Sequence, residues 1–131
     1  MVSKSFPQRE IVRDILEQIL GAIDNLQTWN ASLSDVDELL SSPEGMKTLA
    51  ADCMLIEAIG EGFKKIDHKT DGKLLSCRPE IPWRQVIGMR DHIAHGYFDI
   101  NIDYVWDVLQ NDLVPLRAAT EYFLEHLEEL L

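Results

Sequence analysis

The chain has 131 residues, of which 46% are hydrophobic, and this length predicts one globular domain over residues 1–131 with its own core. A net charge of −11 argues against a general nucleic-acid coat protein, because phosphate binding requires surplus lysine and arginine. The start of the chain predicts neither a signal peptide nor a membrane span, and two cysteines make neither a disulfide framework nor a zinc site, so we expect a cytoplasmic protein.

The first predicted element is an amphipathic helix. Apolar residues recur three and four positions apart from Ile11 to Leu26, and the pattern ends near Trp29. Ser5 and Gln8 have the spacing of a capping box at the start of this helix.

Two further helices are predicted before the middle of the chain. Ser34 is suited to cap a short helix that ends at Leu40. Ser42 and Pro43 have the residue types of the N-cap and first position of a long helix. Gly60 lies on the apolar face of that long helix and costs about 1 kcal/mol of helix propensity. Close approach of a neighbouring helix would compensate this cost.

Residues 67–82 form the least regular segment, and the chain ends in a further helical region. Asn101 or Asp103 is suited to cap that region. Pro115 should kink it, or a new helix should begin there, capped by Asn111 or Asp112. No segment has the pattern of a strand. The sequence therefore predicts an all-α fold, an up-down bundle of four or five helices.

Residues 83–98 hold an unusual density of titratable side chains within an apolar helical pattern. Such side chains avoid apolar settings unless they are paired or functional. We expect one helix from Trp83 to Gly96, with the tyrosine at its end. The side chains of interest are Arg90, Asp91, His92, His95 and Tyr97.

These residue types suit metal-free cleavage of RNA. Histidine serves as base or acid near neutral pH, and arginine stabilises charge on a phosphate. On a regular helix Asp91 would lie about 40° from His95 and could orient its imidazole, whereas Arg90 would lie about 140° from it. Either the helix loosens near Gly96, or two copies of the chain supply complementary residues to one cleft. We favour the second.

A metal site is the alternative use of the histidines. His92 and His95 lie three residues apart, with Asp91 and Asp99 nearby, but no third ligand has comparable spacing. We therefore expect neither a metal nor another cofactor. His92 is better explained as an interface histidine.

The charge is unevenly distributed along the chain. Residues 64–90 contain seven of the 12 basic residues and three acids, a local charge of +4, while the remainder carries five basic residues and 20 acids, hence −15. The basic segment could attract a phosphate locally, or it could be an ordinary solvated loop. Lys73, Arg78 and Arg84 are the candidate RNA-contacting residues.

The order Arg90, four residues, His95, one residue and Tyr97 matches the R-x4-H-x-Y motif. In this motif the chain resembles HepT-like toxins, within the HEPN group of helical ribonucleases. Further segments of the chain recur in that family in the same order, so that the resemblance covers most of the sequence. They are Ala58-Ile59-Gly60-Glu61, Ile81-Pro82-Trp83, Gly88-Met89-Arg90, Val105-Trp106-Asp107 and Asn111-Asp112-Leu113.

The resemblance implies a homodimer, or a higher oligomer built from dimers, in which Arg90 and His95 of both protomers form the catalytic site. It implies an endoribonuclease toxin of a type VII toxin–antitoxin pair. In this family a nucleotidyltransferase antitoxin of the MntA type can attach AMP to the motif tyrosine, here Tyr97, and so block RNA binding. The chain departs from the common pattern at Asp91, where the family often has asparagine, and this acid lowers the positive potential of the cleft.

Two other functions fit the same residues. The chain could be a non-catalytic helical dimer that binds a partner protein such as the nucleotidyltransferase, with the motif as an interface polar network. It could instead be a nucleotide-binding helper for that enzyme. RNA cleavage by the wild type separates the first function from both alternatives.

Overall fold

The computed structural model describes residues 5–131, with side chains from Gln8 onward. The predicted all-α bundle is confirmed. Its helices are α1 (Ser5–Trp29), α2 (Pro43–Lys69), α3 (Trp83–Ile87), α4 (Met89–Ile93), α5 (Ile102–Asp107) and α6 (Leu113–Leu130). None of the helices in this part of the chain is both long and apolar enough to cross a membrane.

The core forms where α1 packs against α2 and α6. The apolar face of α1 is rotated slightly from its prediction, because Ile11 is 42% exposed whereas Val12 is fully buried. Arg117 on α6 connects α6 to α1 at the protein surface. Its Nε donates to Gln27 Oε1 at 3.0 Å, and its guanidinium pairs with Asp24.

The start of α2 follows the prediction. Ser42 is the N-cap, its Oγ accepts a hydrogen bond from the Gly45 amide at 3.0 Å, and Pro43 occupies the first helical position. The preceding short helix is a 3-10 turn, Val36–Leu39, and the prediction that Ser34 caps it is wrong. Asp35 is the cap, because Ser34 donates its hydroxyl to Glu38 Oε1 at 2.8 Å.

The predicted capping box of α1 is only partly within the described region. The Ser5 side chain lies outside it. Gln8 uses its Nε2 to donate to the Lys69 carbonyl oxygen at 3.0 Å, so this side chain joins the start of α1 to the end of α2.

The chain passes from α5 to α6 through a π-helical turn, Val108–Asp112. Asn101 caps α5, as one of the two predicted candidates, by accepting from the Tyr104 amide at 3.1 Å. The last helix starts at Leu113 with Asp112, one of the two predicted candidates, at its N-cap position, although the Asp112 side chain makes no capping hydrogen bond. Pro115 is the third residue of that helix. A proline ring clashes with the carbonyl four residues earlier in an α-helix, and the wider π turn lies where that clash would occur.

A buried polar pair lies between the end of α1 and α2. Asp52 is fully buried, and its Oδ1 accepts from Asn30 Nδ2 at 2.8 Å. Asp52 Oδ2 and Asn30 Oδ1 are buried without a hydrogen-bond partner. Burial raises the pKa of Asp52 to about 6, against the lowering effect of the Asn30 hydrogen bond. The Asp52 carboxyl is therefore protonated more readily in the folded protein than in the unfolded chain.

We predict that Asp52→Asn stabilises the protein above pH 6. An unfolded Asp titrates near pH 4 and the folded one near pH 6. The contribution of Asp52 to wild-type stability should therefore be greatest below pH 4, fall as the pH rises to 6 and stay low above it, by up to about 3 kcal/mol. The asparagine never ionises and supplies a donor to this pair. Urea unfolding of both proteins from pH 4 to pH 7.5 measures the difference.

Asp14→Asn removes an exposed acid from α1 and serves as the control, with little expected change. If the free energy of unfolding depended on pH in the same way for Asp52→Asn and the wild type, the raised pKa of Asp52 would be contradicted.

Candidate active site

Trp83 fixes the start of the motif segment, residues 83–98, between two long helices. Its ring lies 4.9 Å from that of Phe63 on α2 and 5.9 Å from that of Phe123 on α6, measured between centroids. Its indole Nε1 donates to the Arg78 carbonyl oxygen at 2.9 Å. Aromatic contact on two sides and a hydrogen bond at the edge leave α3 little freedom to shift.

Gly60 allows the end of α3 to lie directly on α2. A Cβ atom at position 60 would be 3.0 Å from the Val86 carbonyl oxygen and 3.5 Å from that of Ile87. The predicted close approach is therefore observed, and it involves the polypeptide backbone of α3. The chain then turns at Gly88, and α4 begins at Met89.

The single helix predicted from Trp83 to Gly96 is wrong at two points. It is broken at Gly88, and it ends at Ile93 rather than at Gly96. Ala94 is extended, with φ −166° and ψ 153°, and forms a bridge with Ile100. The Ile93 carbonyl accepts from the Asn101 amide at 2.7 Å, so a contact eight residues ahead replaces the next helical turn.

His95 consequently lies on a tight loop, residues 94–100, that projects from the end of α4. Its amide donates to the Asp99 carbonyl oxygen at 3.0 Å, and the Asp99 amide donates to that of Gly96 at 3.1 Å. Gly96 has a φ of +136°, a conformation that favours glycine. The loop is thus closed by its own backbone, while the side chains within residues 95–99 remain exposed.

The helical relationship expected between Asp91 and His95 does not exist in this structure. Asp91 is exposed on α4, His95 lies beyond the helix end, and no hydrogen bond joins them. Arg90 is also on α4, and its side chain is 68% exposed. Its Nε lies 3.9 Å from Glu57 Oε1 on α2. Because the helix ends before Gly96, the angle of about 140° that a regular helix would impose between Arg90 and His95 does not apply.

A groove of about 320 Å³ lies beside these residues, and we call it the motif groove. Glu57 connects it to Arg90, because the same carboxylate that faces the guanidinium also lines the groove. Its other lining residues come from α2 and from the end of the motif segment: Ala50, Cys53, Met54, Ile93, Ala94, Gly96, Tyr97 and Ile100.

Apolar side chains around the motif groove are unusually exposed. Met54 is 70% exposed, Tyr97 57% and Phe98 98%, and the Tyr97 and Phe98 rings meet edge to face at 5.1 Å. Sequence reasoning assigned no role to Met54, Phe98 or Glu57. Only Phe98, directly after the motif tyrosine, carried a signal that could have been used.

Cys53 lines the motif groove but is unsuited to nucleophilic chemistry. Burial, and then the charges of Asp52 and Glu57, raise the pKa of its thiol to about 11. A thiol with this pKa is protonated at neutral pH and is a poor nucleophile.

His92 lies on the other side of α4 from Arg90, because two positions correspond to about 200° of helix. Its ring is 5.5 Å from that of Tyr104. Within the described residues, no three histidine, cysteine, aspartate or glutamate side chains are grouped as metal ligands.

The candidate RNA-contacting residues differ in their surroundings. Arg78 is held by the protein, since its Nε lies 2.6 Å from Glu80 Oε2 and its guanidinium lies 4.9 Å from the centre of the Tyr122 ring. Lys73 and Arg84 are exposed. These two side chains are the more accessible to a phosphate.

Comparison with known proteins identifies relatives of this chain. The profile of the family described as Ribonuclease HepT-like matches residues 19–123. A probable ribonuclease HepT of Thermococcus cleftensis is 33% identical over 109 residues, which are 83% of this chain and 92% of that protein. Two putative RNases of Methanocaldococcus jannaschii are 28% and 31% identical, over 94% and 92% of this chain and 98% and 89% of their own lengths. No solved structure matches the chain.

The contact at Gly60 predicts opposite effects for two similar substitutions. Gly60→Ala places a methyl group against the Val86 backbone, so we expect it to destabilise the protein by about 1–2 kcal/mol despite better helix propensity. Gly21→Ala on α1 is the matched control, since a Cβ there meets nothing within 4 Å. It should stabilise by about 0.5–1 kcal/mol. Urea unfolding measures both, and stabilisation by Gly60→Ala would show that α3 can move away freely.

Proposed function

The chain belongs to the HepT-like ribonuclease family, and from this premise we propose that it is a metal-independent RNA endonuclease and the toxin of a toxin–antitoxin pair. The observation that carries the proposal is the shared motif groove. Arg90 faces Glu57, Glu57 lines the groove, and Gly96 and Tyr97 line it beside His95. The side chains of Arg90, His95 and Tyr97 are all exposed, and Tyr97 itself lines the groove.

The chemistry assigns each residue a role. The RNA 2′-oxygen attacks the adjacent phosphorus while a histidine removes its proton, and the bond from phosphorus to the 5′-oxygen breaks as that oxygen receives a proton. The products are a cyclic phosphate and a free 5′-hydroxyl. Arg90 stabilises the negative charge on the phosphate oxygens.

Two copies of the chain are needed in this scheme. One His95 cannot remove one proton and deliver another in the same step, so the second histidine comes from a partner protomer. The exposed apolar surface formed by Met54, Tyr97 and Phe98 supports this proposal, because such surface on a protein of this size marks an interface. A two-fold dimer across this surface would bring both motifs together.

We propose that RNA cleavage is controlled by modification of Tyr97. More than half of it is exposed, so its hydroxyl is accessible to a nucleotidyltransferase antitoxin in the cytoplasm. An attached AMP would add negative charge and bulk beside Arg90 and exclude RNA. The exposed Lys73 and Arg84 would contact the RNA beyond the cleavage point, and Arg78 would contribute only its charge.

We expect Arg90→Ala and His95→Ala each to lower RNA cleavage at least about 100-fold and to abolish growth arrest, because each removes a group that acts in the transition state. His126→Ala, at a histidine on α6, is the control and should keep wild-type activity. Cleavage should persist in EDTA. Full toxicity of either motif variant would refute the assigned chemistry, and dimer loss without any wild-type cleavage would favour the partner-binding function.

Co-expression with a neighbouring nucleotidyltransferase should add one or more AMP units to the chain. Intact mass spectrometry measures the gain, and Tyr97→Phe should abolish it because phenylalanine has no hydroxyl to modify. Tyr122→Phe is the matched control, since that tyrosine lies on α6 outside the motif. Modification that survives in Tyr97→Phe would contradict the assignment.

A further inference from the structure

A second groove lies on the side of α4 that carries His92, away from Arg90. It has a volume of about 450 Å³ and runs between α3–α4 and α5–α6. Its apolar lining includes Val86, Met89 and Leu116, which are buried side chains of the bundle. Nothing in the proposed cleavage mechanism uses this surface, which we call the acidic groove for the carboxylates described next.

The π turn places two carboxylates, Asp107 and Asp112, on the acidic groove. In an α-helix residues five positions apart are separated by about 140°. A π turn closes hydrogen bonds between residues five apart and so brings them to the same side. Burial, and then the charge of Asp107, raise the pKa of Asp112, in agreement with their proximity. The irregular turn therefore builds a pair of acids that a regular helix would separate.

No ion pair among the described residues offsets the repulsion between these carboxylates. Among residues 8–131 neither Asp107 nor Asp112 forms an ion pair with a lysine or arginine. Asp107 accepts a hydrogen bond from Asn111 Nδ2 at 2.6 Å, which leaves its charge in place. The third acid of the groove, Glu80, is already paired with Arg78. The groove also contains His92 and Tyr104, and the charge of Asp112 raises the pKa of Tyr104 after the larger effect of burial.

We propose that the acidic groove is the docking site for a basic, amphipathic segment of a partner protein. A lysine or arginine of that segment would place its charge between Asp107 and Asp112 and its hydrocarbon stem along the apolar lining. The Tyr104 ring offers a face to the same cation. An adjacent apolar residue of the segment would cover Val86 and Leu116.

The charge of the groove favours a basic segment as its binding partner. The chain carries a net charge of −11, and the groove lining contains three acids and no lysine or arginine, so the groove attracts a basic partner and repels an acidic one. The groove has an apolar lining as well as carboxylates. A polypeptide segment can contact both, because apolar side chains can lie next to its basic residue. A second copy of this chain is a poorer fit, because it carries the same net charge of −11.

The test titrates the full chain, labelled with nitrogen-15, with the capped peptide LKKLLKKL and with its charge-reversed form LEELLEEL. We expect the basic peptide to shift amide resonances of residues 80–92 and 104–116, and the acidic peptide to shift none. Shifts spread over the whole acidic surface, or no binding of the basic peptide at all, would overturn the proposal.

Matched variants separate docking from general attraction. The double variant Asp107→Asn, Asp112→Asn should weaken peptide binding about tenfold by calorimetry. Glu125→Gln with Glu128→Gln removes the same charge from exposed positions on α6 and should weaken it about twofold or less. Equal weakening by both pairs would overturn the proposal. So would the free amine agmatine binding the groove in place of the peptide, because the groove would then be a small-molecule site.

RNA cleavage provides an independent readout. Neither pair of variants touches Arg90, His95 or Tyr97, so both should cleave RNA like the wild type. Loss of peptide binding with intact cleavage supports the docking site whatever the motif does. Failure of the motif predictions likewise leaves the docking result unaffected.

Discussion

The contact between α2 and the end of α3 determines where the motif is presented. At Gly60 the Val86 carbonyl oxygen lies 3.0 Å from the position that a Cβ atom on α2 would take, so the two backbones are in close contact. Trp83 holds the other end of α3 between Phe63 and Phe123. With both ends fixed, α4 starts at a defined point on α2 and places Arg90 opposite Glu57. Weakening this contact would move the arginine as well as the core.

The fold was largely predictable because the long helices carry strong periodicity and local caps. Ser42 and Pro43 identify the start of α2 from residue types alone. The motif helix was overextended for a definite reason. Apolar periodicity continues through Ile93 and Ala94, whereas the helix ends there because the Asn101 amide bonds to the Ile93 carbonyl. No local pattern in the motif segment indicates that contact.

The candidate site was predictable in residue type but not in geometry. The motif identified Arg90, His95 and Tyr97, yet their relationship depends on a loop closed by backbone bonds and on a φ of +136° at Gly96. Glu57 and Met54 entered the site through α2, about forty residues away in sequence, and no spacing rule connects them to the motif. Helical geometry also predicted that Asp91 would lie beside His95. The loop does not preserve this arrangement.

The two faces of α4 are suited to different contacts. One face carries Arg90 toward the motif groove, with exposed apolar side chains suited to a second copy of the chain. The other carries His92 toward the acidic groove, where the π turn aligns two carboxylates. Self-association and partner docking would then use different surfaces of one short helix.

The claim that one catalytic site draws on two protomers is tested most directly by pairing an active protomer with an inactive one. The wild type and His95→Ala are co-expressed with different affinity tags, the mixed dimers are purified, and RNA cleavage is measured. If one cleavage event needs His95 of both protomers, the mixed dimers should be as inactive as the His95→Ala dimer, because the second histidine is missing. Mixed dimers with about half of the wild-type activity would show that each protomer cleaves RNA alone and would contradict the account.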